Sequence, residues 1–278
     1  MGRRRTLLQR APGAALAAAA LLALSAARDA PDVDPAPPAA AAPSTSPSAT
    51  GSPSPSPRLV VGLGDSVVAA SHCDCAGFVS AYANLLTASG TAATGVQLGV
   101  PGATTDDVLG QLDDDERTEG LVARADVVLL MSGANEVVPD LRQAQSGECD
   151  AHCYDATLQT TRKQLVSAVQ RIRALRGGKP VQVALLDYWN VSVDGQVARQ
   201  QYGAEELAEA DAATKATNAA ICAAAAQAGA TCVDTFVPFR GTDGSADPTS
   251  LLAADGDHPD EAGHQVIAEA LLAALPQI

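Results

Sequence analysis

Short, nearly unbroken apolar runs alternate along this chain with longer stretches in which apolar residues recur at helical spacing. A short run without polar alternation is typical of a parallel strand that is buried on both faces of its sheet. The clearest example is Asp126 to Met131, where only valine and leucine stand between the two ends. The pattern predicts strands at residues 59–62, 95–98, 126–131, 181–186 and 231–235.

The stretches between these runs have helical periodicity. In residues 155–176 the apolar positions follow helical spacing, Asp155 predicts an N-cap, and Gly177 predicts the end of the helix. A second, alanine-rich helix is predicted at residues 204–228. The last predicted helix starts at Pro259, because proline is favoured at the first helical position.

Strands that alternate with helices predict the α/β fold class. Right-handed crossovers between parallel strands place helices on both faces of the sheet. We therefore expect a three-layer α/β/α sandwich with a five-stranded parallel sheet, in the flavodoxin-like strand order 2-1-3-4-5. Ligands of such sheets bind beyond the carboxyl ends of the strands, near the point where the strand order reverses.

The first 57 residues are expected to lie outside this fold. Residues 1–27 carry four arginines before an uncharged, alanine-rich stretch that ends in Ser25-Ala26-Ala27, and they predict a cleaved signal peptide and a secreted protein. The alternative is an uncleaved membrane anchor, although the apolar stretch is near the lower length limit for a span. Residues 28–57 hold nine of the seventeen prolines and predict a disordered linker rich in Pro, Ala and Ser.

The chain is acidic. Its formal net charge is −14, and removal of the predicted signal peptide with its four arginines would bring the charge to −18. Such a surface repels phosphate backbones, so we expect no nucleic-acid partner. The acidic block at residues 113–116 is interpreted as a solvated face.

Six cysteines, an even number in a chain expected to be exported, predict three disulfides. Six cysteines allow fifteen pairings, but their spacing favours local pairs. These are Cys149 with Cys153, Cys222 with Cys232 and, by elimination, Cys73 with Cys75. The alternative is a metal site in the segment His72-Cys73-Asp74-Cys75, against which stands the lack of a second ligand pair.

Four short motifs are expected at the carboxyl edge of the predicted sheet. They are Gly62-Leu63-Gly64-Asp65-Ser66 after the first strand, Gly99-Val100-Pro101-Gly102 after the second, Gly133-Ala134-Asn135-Glu136 after the third and Asp255-Gly256-Asp257-His258 after the fifth. Ser66 is a candidate nucleophile, because a strand delivers it into a turn. His258 is the candidate base, and Asp255, three residues earlier, can turn back to orient the imidazole. Asp257 is the alternative acid.

With these four motifs in this order, the chain from Arg58 to the C-terminus resembles the SGNH (GDSL) hydrolase family, which includes secreted esterases and lipases. The resemblance implies a catalytic domain at residues 58–278 that needs no cofactor. It also implies an oxyanion hole made by the backbone amides of Ser66 and Gly102 and by the side-chain amide of Asn135. Glycine lets the backbone approach a substrate closely, and asparagine offers a fixed neutral dipole. The alternative is that Gly102 only makes a turn and Asn135 only caps a loop.

Two positions depart from the family pattern. Gln97 stands where asparagine is more frequent, and Glu136 stands where aspartate commonly follows the asparagine, so hydrogen bonds around the oxyanion hole are expected to differ. The Gly-x-Ser-x-Gly motif of α/β-hydrolases is absent, since Val68 occupies its last position. The sequence therefore favours the SGNH fold over the α/β-hydrolase fold.

These features predict a serine esterase or lipase that hydrolyses carboxylic esters through an acyl-enzyme. We expect a monomer that acts on a small-molecule or polymer-borne ester. Pocket walls are predicted in residues 137–154 and in residues 187–202, which include Tyr188 and Trp189. One alternative is a carbohydrate O-acetylesterase acting on polysaccharide, although no aromatic sugar platform is evident beyond Trp189. The other is a non-catalytic surface binding module on the same scaffold.

Overall fold

The computed structural model describes residues 56–150 and 152–276. The predicted signal peptide at residues 1–27 and residues 28–55 of the predicted linker lie outside the described residues. Within the described part of the chain, no helix combines the length and the apolar character needed to cross a bilayer.

A five-stranded parallel sheet forms the centre of the fold. Its strands are β1 (Arg58–Gly64), β2 (Ala93–Gly99), β3 (Val127–Met131), β4 (Gln182–Leu186) and β5 (Thr231–Val233). Their order is β2-β1-β3-β4-β5 and every neighbouring pair is parallel, which confirms the predicted order. β3 is buried at all of its residues, as expected for a central strand without polar alternation.

Helices cover both faces of this sheet. They are α1 (Gly77–Ala88), α2 (Thr105–Asp114), α3 (Glu116–Val122), α4 (Ala134–Gln145), α5 (Asp155–Leu175), α6 (Gly195–Gln201), α7 (Ala204–Ala228), α8 (Phe236–Arg240) and α9 (Glu261–Ala274), with a 3-10 turn at Pro248–Leu251. Helix α1 packs against α9, and helix α5 packs against α2 and α7. The predicted three-layer α/β/α sandwich is confirmed.

The first three strands end in register at one edge of the sheet. Gly64 of β1 pairs with Gly99 of β2 and with Met131 of β3, so the segments that follow these strands start side by side. Gly64 has a φ of +140°, and a Cβ there would overlap the Met131 carbonyl oxygen. Only glycine permits this close approach, which brings the first three motifs to one place.

The N-cap of helix α5 differs from the prediction. The helix begins at Asp155, and Tyr154 occupies the N-cap position without a side-chain capping bond. The Asp155 carboxylate lies 3.0 Å from His152 Nδ1. Asp155 therefore stands in the first turn, at the positive end of the helix dipole, and its predicted capping role is wrong.

Helix α9 also begins later than predicted. Its first residue is Glu261, and the Asp260 side chain caps it by accepting a hydrogen bond from the Gly263 amide at 2.9 Å. Pro259 lies before the helix because it forms a β-bridge with Leu252. This bridge fixes the end of the loop that carries the fourth motif.

The six cysteines, all within the described residues, form the three pairs that their spacing predicts. The disulfides are Cys73–Cys75, Cys149–Cys153 and Cys222–Cys232. The last of these joins α7 to β5. Because Cys73 and Cys75 are bonded to each other, they offer no thiolate to a metal ion, and the alternative metal site at residues 72–75 loses its sulfur ligands.

His264 on α9 is buried beside Phe78. Its exposed fraction is 2%, the two ring centroids are 6.1 Å apart, and neither ring nitrogen has a hydrogen-bond partner among the described residues. Burial lowers the pKa of His264 to about 4, from 6.5 for an unperturbed imidazole. The folded protein therefore keeps this imidazole neutral in mildly acidic solution.

Replacing His264 with leucine should make stability less sensitive to acid. As the pH falls from 6.5 towards 4, the unfolded chain binds a proton at this residue that the folded chain excludes, so the free energy of unfolding falls. At this site the loss between pH 7 and pH 5 is about 2 kcal/mol. Urea unfolding of the parent and of His264→Leu at both pH values measures the difference.

Two buried carboxyl groups change the free energy of unfolding in the opposite direction over the same pH range. Burial raises the pKa of Asp65 and of Asp187 to about 6, so the folded state gains stability relative to the unfolded state as these groups take up protons. Both groups are present in parent and variant, so the comparison removes their contribution. His152→Leu, at an exposed histidine, is the matched control. An equal acid-induced loss in the parent and in His264→Leu would contradict the assignment.

Candidate active site

Ser66 lies in a tight turn directly beyond β1. Asp65 Oδ1 accepts a hydrogen bond from the Val67 amide at 2.9 Å, which shapes the start of the turn. The Ser66 carbonyl accepts a hydrogen bond from the Ser71 amide at 2.9 Å, which closes it. Asp65 and Val67 are buried, whereas Ser66 is only half-buried. The turn therefore presents the serine at the carboxyl edge of the sheet.

The buried carboxyl group of Asp65 supports this turn. The Tyr188 hydroxyl donates a hydrogen bond to Asp65 Oδ2 at 2.5 Å, and both side chains are buried. Burial raises the pKa of Asp65 to about 6, although the hydrogen bonds from Tyr188 and Val67 act in the opposite direction. The contact ties the residue before Ser66 to the segment that follows β4.

Asp255 and His258 form a hydrogen-bonded pair within one loop. Asp255 Oδ2 lies 2.7 Å from His258 Nδ1. Asp255 Oδ1 accepts hydrogen bonds from the Asp257 amide at 3.0 Å and from the His258 amide at 3.2 Å. The loop is therefore wrapped around the Asp255 carboxylate. Nε2 of the imidazole is left for another partner.

The two acidic residues of this loop differ in their electrostatics. Burial favours a higher pKa for Asp255, but hydrogen bonds from the Asp257 amide and from the His258 ring and amide bring it below its usual value. For Asp257, burial raises the pKa, and its carboxylate lies 4.0 Å from His258 Nδ1. Asp255 is thus the better partner for the imidazole by both distance and charge.

Asn135 is the second residue of α4, and its side chain points across to the loop after β2. Its Nδ2 donates one hydrogen bond to the Ala103 carbonyl at 2.9 Å. A carboxamide nitrogen carries two hydrogens, so one donor is left for a further partner. Gly102, the residue before Ala103, is exposed and has a φ of +80°.

The two departures from the family pattern have different structural roles. Glu136 Oε1 accepts a hydrogen bond from the Thr105 amide at 2.6 Å, which places a carboxylate at the positive end of helix α2. Gln97 accepts a hydrogen bond from Ser80 at 3.2 Å and thus faces helix α1. Glu136 therefore joins α4 to the start of α2 beside Asn135, whereas Gln97 joins β2 to α1.

Ser66, Asn135 and His258 line one cavity of about 60 Å³. Gly102 is outside its lining, although its neighbour Ala103 accepts the hydrogen bond from Asn135. A larger hollow of about 350 Å³, lined by residues of α1 and α9, contains none of these three residues. We take the small cavity as the candidate site because it collects a nucleophile, a paired base and an amide donor.

The walls of this cavity only partly match the prediction. Of residues 137–154 only Val138 lines it, because half of that stretch belongs to helix α4 and Tyr154 is buried elsewhere in the core. Tyr188 and Trp189 do line it. Trp189, however, is 1% exposed and stacks on Phe239 with centroids 4.4 Å apart, so it offers no open face to a sugar. Trp189 therefore does not provide a sugar platform.

His72 also lies next to the candidate catalytic residues. From sequence alone, this histidine was considered only together with Cys73 and Cys75. Its Nδ1 lies 3.3 Å from Asp255 Oδ2, and its ring stacks on the ring of His258. The available signal was its position, six residues after Ser66 in the loop that leaves the same strand.

The chain matches the model of the GDSL-like Lipase/Acylhydrolase family over residues 63–266. Among solved structures it is similar to the lipase Lip_vut3 from a goat rumen metagenome, with 19% identity, a TM-score of 0.62 and coverage of 78% of this chain and 97% of that one. It is also similar to TesA, with 22% identity, a TM-score of 0.52 and coverage of 78% and 98%. A search of curated protein sequences finds no match.

A third similar structure is Axe2, an acetylxylan esterase from Geobacillus stearothermophilus. The identity is 20%, the TM-score is 0.54, and the match covers 78% of this chain and 93% of that one. Three structures of Axe2 are described as catalytic mutants, in which a serine, an aspartate and a histidine are each replaced by alanine. In Axe2 the histidine stands three residues after the aspartate.

Proposed function

The chain belongs to the GDSL-like lipase/acylhydrolase family of carboxylic ester hydrolases, and from this premise we propose that it is a secreted serine esterase for short acyl groups, with Ser66 as its nucleophile. The observation that carries the proposal is the convergence of Ser66, Asn135 and the Asp255-paired His258 on one small cavity. The serine, aspartate and histidine of the Axe2 mutants, with the same spacing between the last two, support this assignment.

In the proposed reaction, Ser66 Oγ attacks the acyl carbon while its proton passes to His258 Nε2. Asp255 accepts the hydrogen bond from Nδ1–H and stabilises the imidazolium that forms. Collapse of the tetrahedral intermediate expels the alcohol, which takes the proton from His258. Water then attacks the acyl-serine by the same route, and the acid leaves as Ser66 regains its proton.

The carbonyl oxygen gains negative charge at each attack, and neutral donors stabilise it. We assign this role to the free hydrogen of the Asn135 carboxamide and to the backbone amides of Ser66 and Gly102. The other Asn135 hydrogen is bonded to Ala103 O, so the donor is held in place before the substrate arrives. Preorganised donors of this kind are stronger toward the oxyanion than toward the neutral ester.

Asn135→Ala should lower kcat and kcat/KM together, by about 10² to 10³, and leave KM little changed. This pattern is expected when a hydrogen bond exists only in the transition state. Steady-state kinetics on a nitrophenyl ester measures it, and Asn84→Ala, at an exposed asparagine of α1, is the matched control. A higher KM at constant kcat would make Asn135 a substrate-binding residue and remove it from the oxyanion hole.

The size of the cavity supports a short acyl group. Its volume of about 60 Å³ is several times smaller than the hollow of about 350 Å³ at α1 and α9, so a short acyl group suits it better than a long chain. A carbohydrate O-acetylesterase acting on polysaccharide is the second candidate, because an acetyl group fits this volume and Axe2 is named as an acetylxylan esterase. The burial of Trp189 counts against a dedicated sugar platform.

A panel of nitrophenyl esters from acetyl to palmitoyl, with acetylated xylan as a polymeric substrate, tests the proposal. We expect kcat/KM to be highest for acetyl and to fall as the acyl chain lengthens. Acetate release from the xylan that exceeds hydrolysis of simple acetyl esters would favour the O-acetylesterase. A preference for palmitoyl would contradict the short-acyl assignment, and no hydrolysis of any ester would favour a non-catalytic binding module.

We also propose that residues 1–27 are a signal peptide, residues 28–57 a linker and residues 58–278 the catalytic domain of an extracellular enzyme. The three disulfides support this location, since such bonds persist in oxidising compartments. N-terminal sequencing of protein recovered from culture medium tests cleavage after Ala27. Retention in the membrane fraction would favour the uncleaved anchor. The monomeric state and the lack of a nucleic-acid partner stay predictions.

A further inference from the structure

His72 contacts both the proposed acid and the proposed base of the active site. Its Nδ1 lies 3.3 Å from Asp255 Oδ2. Its ring lies over the ring of His258, with centroids 4.6 Å apart and an angle of 20° between the planes. A residue of the loop after β1 therefore meets the Asp255–His258 pair, which comes from the loop before α9.

Two imidazoles share one oxygen of the Asp255 carboxylate. Oδ2 lies 2.7 Å from His258 Nδ1 and 3.3 Å from His72 Nδ1, while Oδ1 is occupied by two backbone amides of its own loop. The Asp255 carboxylate is thus hydrogen-bonded to the His258 ring and to two amides of its own loop, and the His72 ring makes a further polar contact with Oδ2.

The stack restrains the plane of His258. Offset, nearly parallel rings at this separation are a favourable aromatic arrangement. The side chain of His72 is 61% exposed and that of His258 is 13% exposed, so His72 covers its partner from the solvent side.

The backbone that carries His72 is held in an uncommon conformation. His72 has a φ of +60° and Ala70 a φ of +53°, both in the left-handed region that residues other than glycine rarely adopt. The segment is tied at one end by the hydrogen bond from the Ser71 amide to the Ser66 carbonyl and at the other by the Cys73–Cys75 disulfide. Strained conformations that persist are often found at functional sites.

Other charged groups near the two rings come from two elements. Asp257, from the loop of His258, is influenced by both imidazoles, which lower its pKa against the larger, raising effect of burial. His264, from α9, is buried and stays neutral, and proximity to His258 contributes to its lowered pKa. His72 is thus the exposed member of the group.

We propose that His72 is a positioning residue of this esterase, which holds the Asp255 carboxylate and the His258 ring in their reactive arrangement. The proposal rests on the proposed function. The contact of the His72 ring with Asp255 Oδ2 restrains the carboxylate, and the stack restrains the plane of the imidazole that receives the proton of Ser66.

Two variants test the role. His72→Ala removes the stack and the polar contact with Asp255, whereas His72→Phe keeps a flat ring over His258 and removes only the polar contact. We expect His72→Ala to lower kcat about tenfold, with KM within about twofold of the parent, because the base is less well oriented. His72→Phe should lose less of kcat than His72→Ala, because the stack on His258 is kept.

Rates are expressed per active site, counted by stoichiometric labelling with a fluorophosphonate, so that misfolded protein does not contribute. His152→Ala, at another exposed histidine within a short disulfide loop, is the matched control and should behave like the parent. Parent-like kcat in both His72 variants would overturn the proposal, as would a higher KM at constant kcat or a lower thermal stability with parent-like kcat. A parent enzyme without Ser66-dependent hydrolysis would reveal failure of the proposed function itself and would overturn both.

Discussion

Ser66→Ala should fold like the parent and lose nearly all turnover, with kcat lower by about 10⁴ to 10⁶. The backbone bond from the Ser71 amide to the Ser66 carbonyl and the bond from the Val67 amide to Asp65 do not involve the serine hydroxyl, so the turn is kept. The variant lacks the only atom proposed to form the acyl bond. Kinetics on a nitrophenyl ester and thermal unfolding measure the two parts of this expectation.

Labelling with a fluorophosphonate gives an independent measurement, because the reagent modifies an activated serine. The label should be stoichiometric on the parent and absent from Ser66→Ala. Ser71→Ala is the matched control, since Ser71 lies in the same turn and contributes its backbone amide, which alanine retains. Labelling of another residue in Ser66→Ala, or turnover near that of the parent, would show that the nucleophile is elsewhere.

The second large effect is expected for Asp255→Asn, which should lower kcat by about 10⁴. Asparagine can still accept the hydrogen bonds from the Asp257 and His258 amides through its carbonyl oxygen, so the loop is expected to keep its shape. The remaining carboxamide group no longer enforces a proton on His258 Nδ1, and it carries no charge to stabilise the imidazolium. The measurement is kcat at a pH where the parent is fully active.

Asp257→Asn distinguishes the two acids of this loop. Asp257 lies 4.0 Å from His258 Nδ1, compared with 2.7 Å for Asp255, and burial raises its pKa. We expect its replacement to change kcat by less than about tenfold, as for a residue outside the proton path. Severe loss in Asp257→Asn together with mild loss in Asp255→Asn would reverse the assignment.

The fold was largely predictable because its signals are local. The unbroken apolar run that ends at Met131 marks a strand buried on both faces, and helical periodicity marks the segments between strands. Parallel strands joined by right-handed crossovers admit few arrangements, so the strand order followed as well. Helix starts were less predictable: Pro259 lies outside α9 because a bridge to Leu252, a tertiary contact, competes with its preference for the first helical position.

The sequence predicted those residues of the proposed site that lie close together along the chain or directly after neighbouring strands. Asp255 and His258 are three residues apart and meet within one turn, so spacing alone suggested the pair. Ser66 and Asn135 follow neighbouring strands, and the register of β1 with β3 brings them to the same edge. Periodicity and short spacing thus predicted the fold class, the local disulfide pairs and the pair of Asp255 with His258. The oxyanion-hole roles of Ser66, Gly102 and Asn135 came from the resemblance to the family.

Only the tertiary structure decided which distant side chains meet. The hydrogen bond from Tyr188 to Asp65, the burial of Trp189 against Phe239 and the stack of His72 on His258 each join segments far apart in the chain. These contacts depend on the path of loops, including the left-handed backbone at His72, and on the summed geometry of the sheet and helices that position those loops. Neighbouring residues do not encode such paths, because the backbone conformation of a loop is selected by the packing of the whole domain around it.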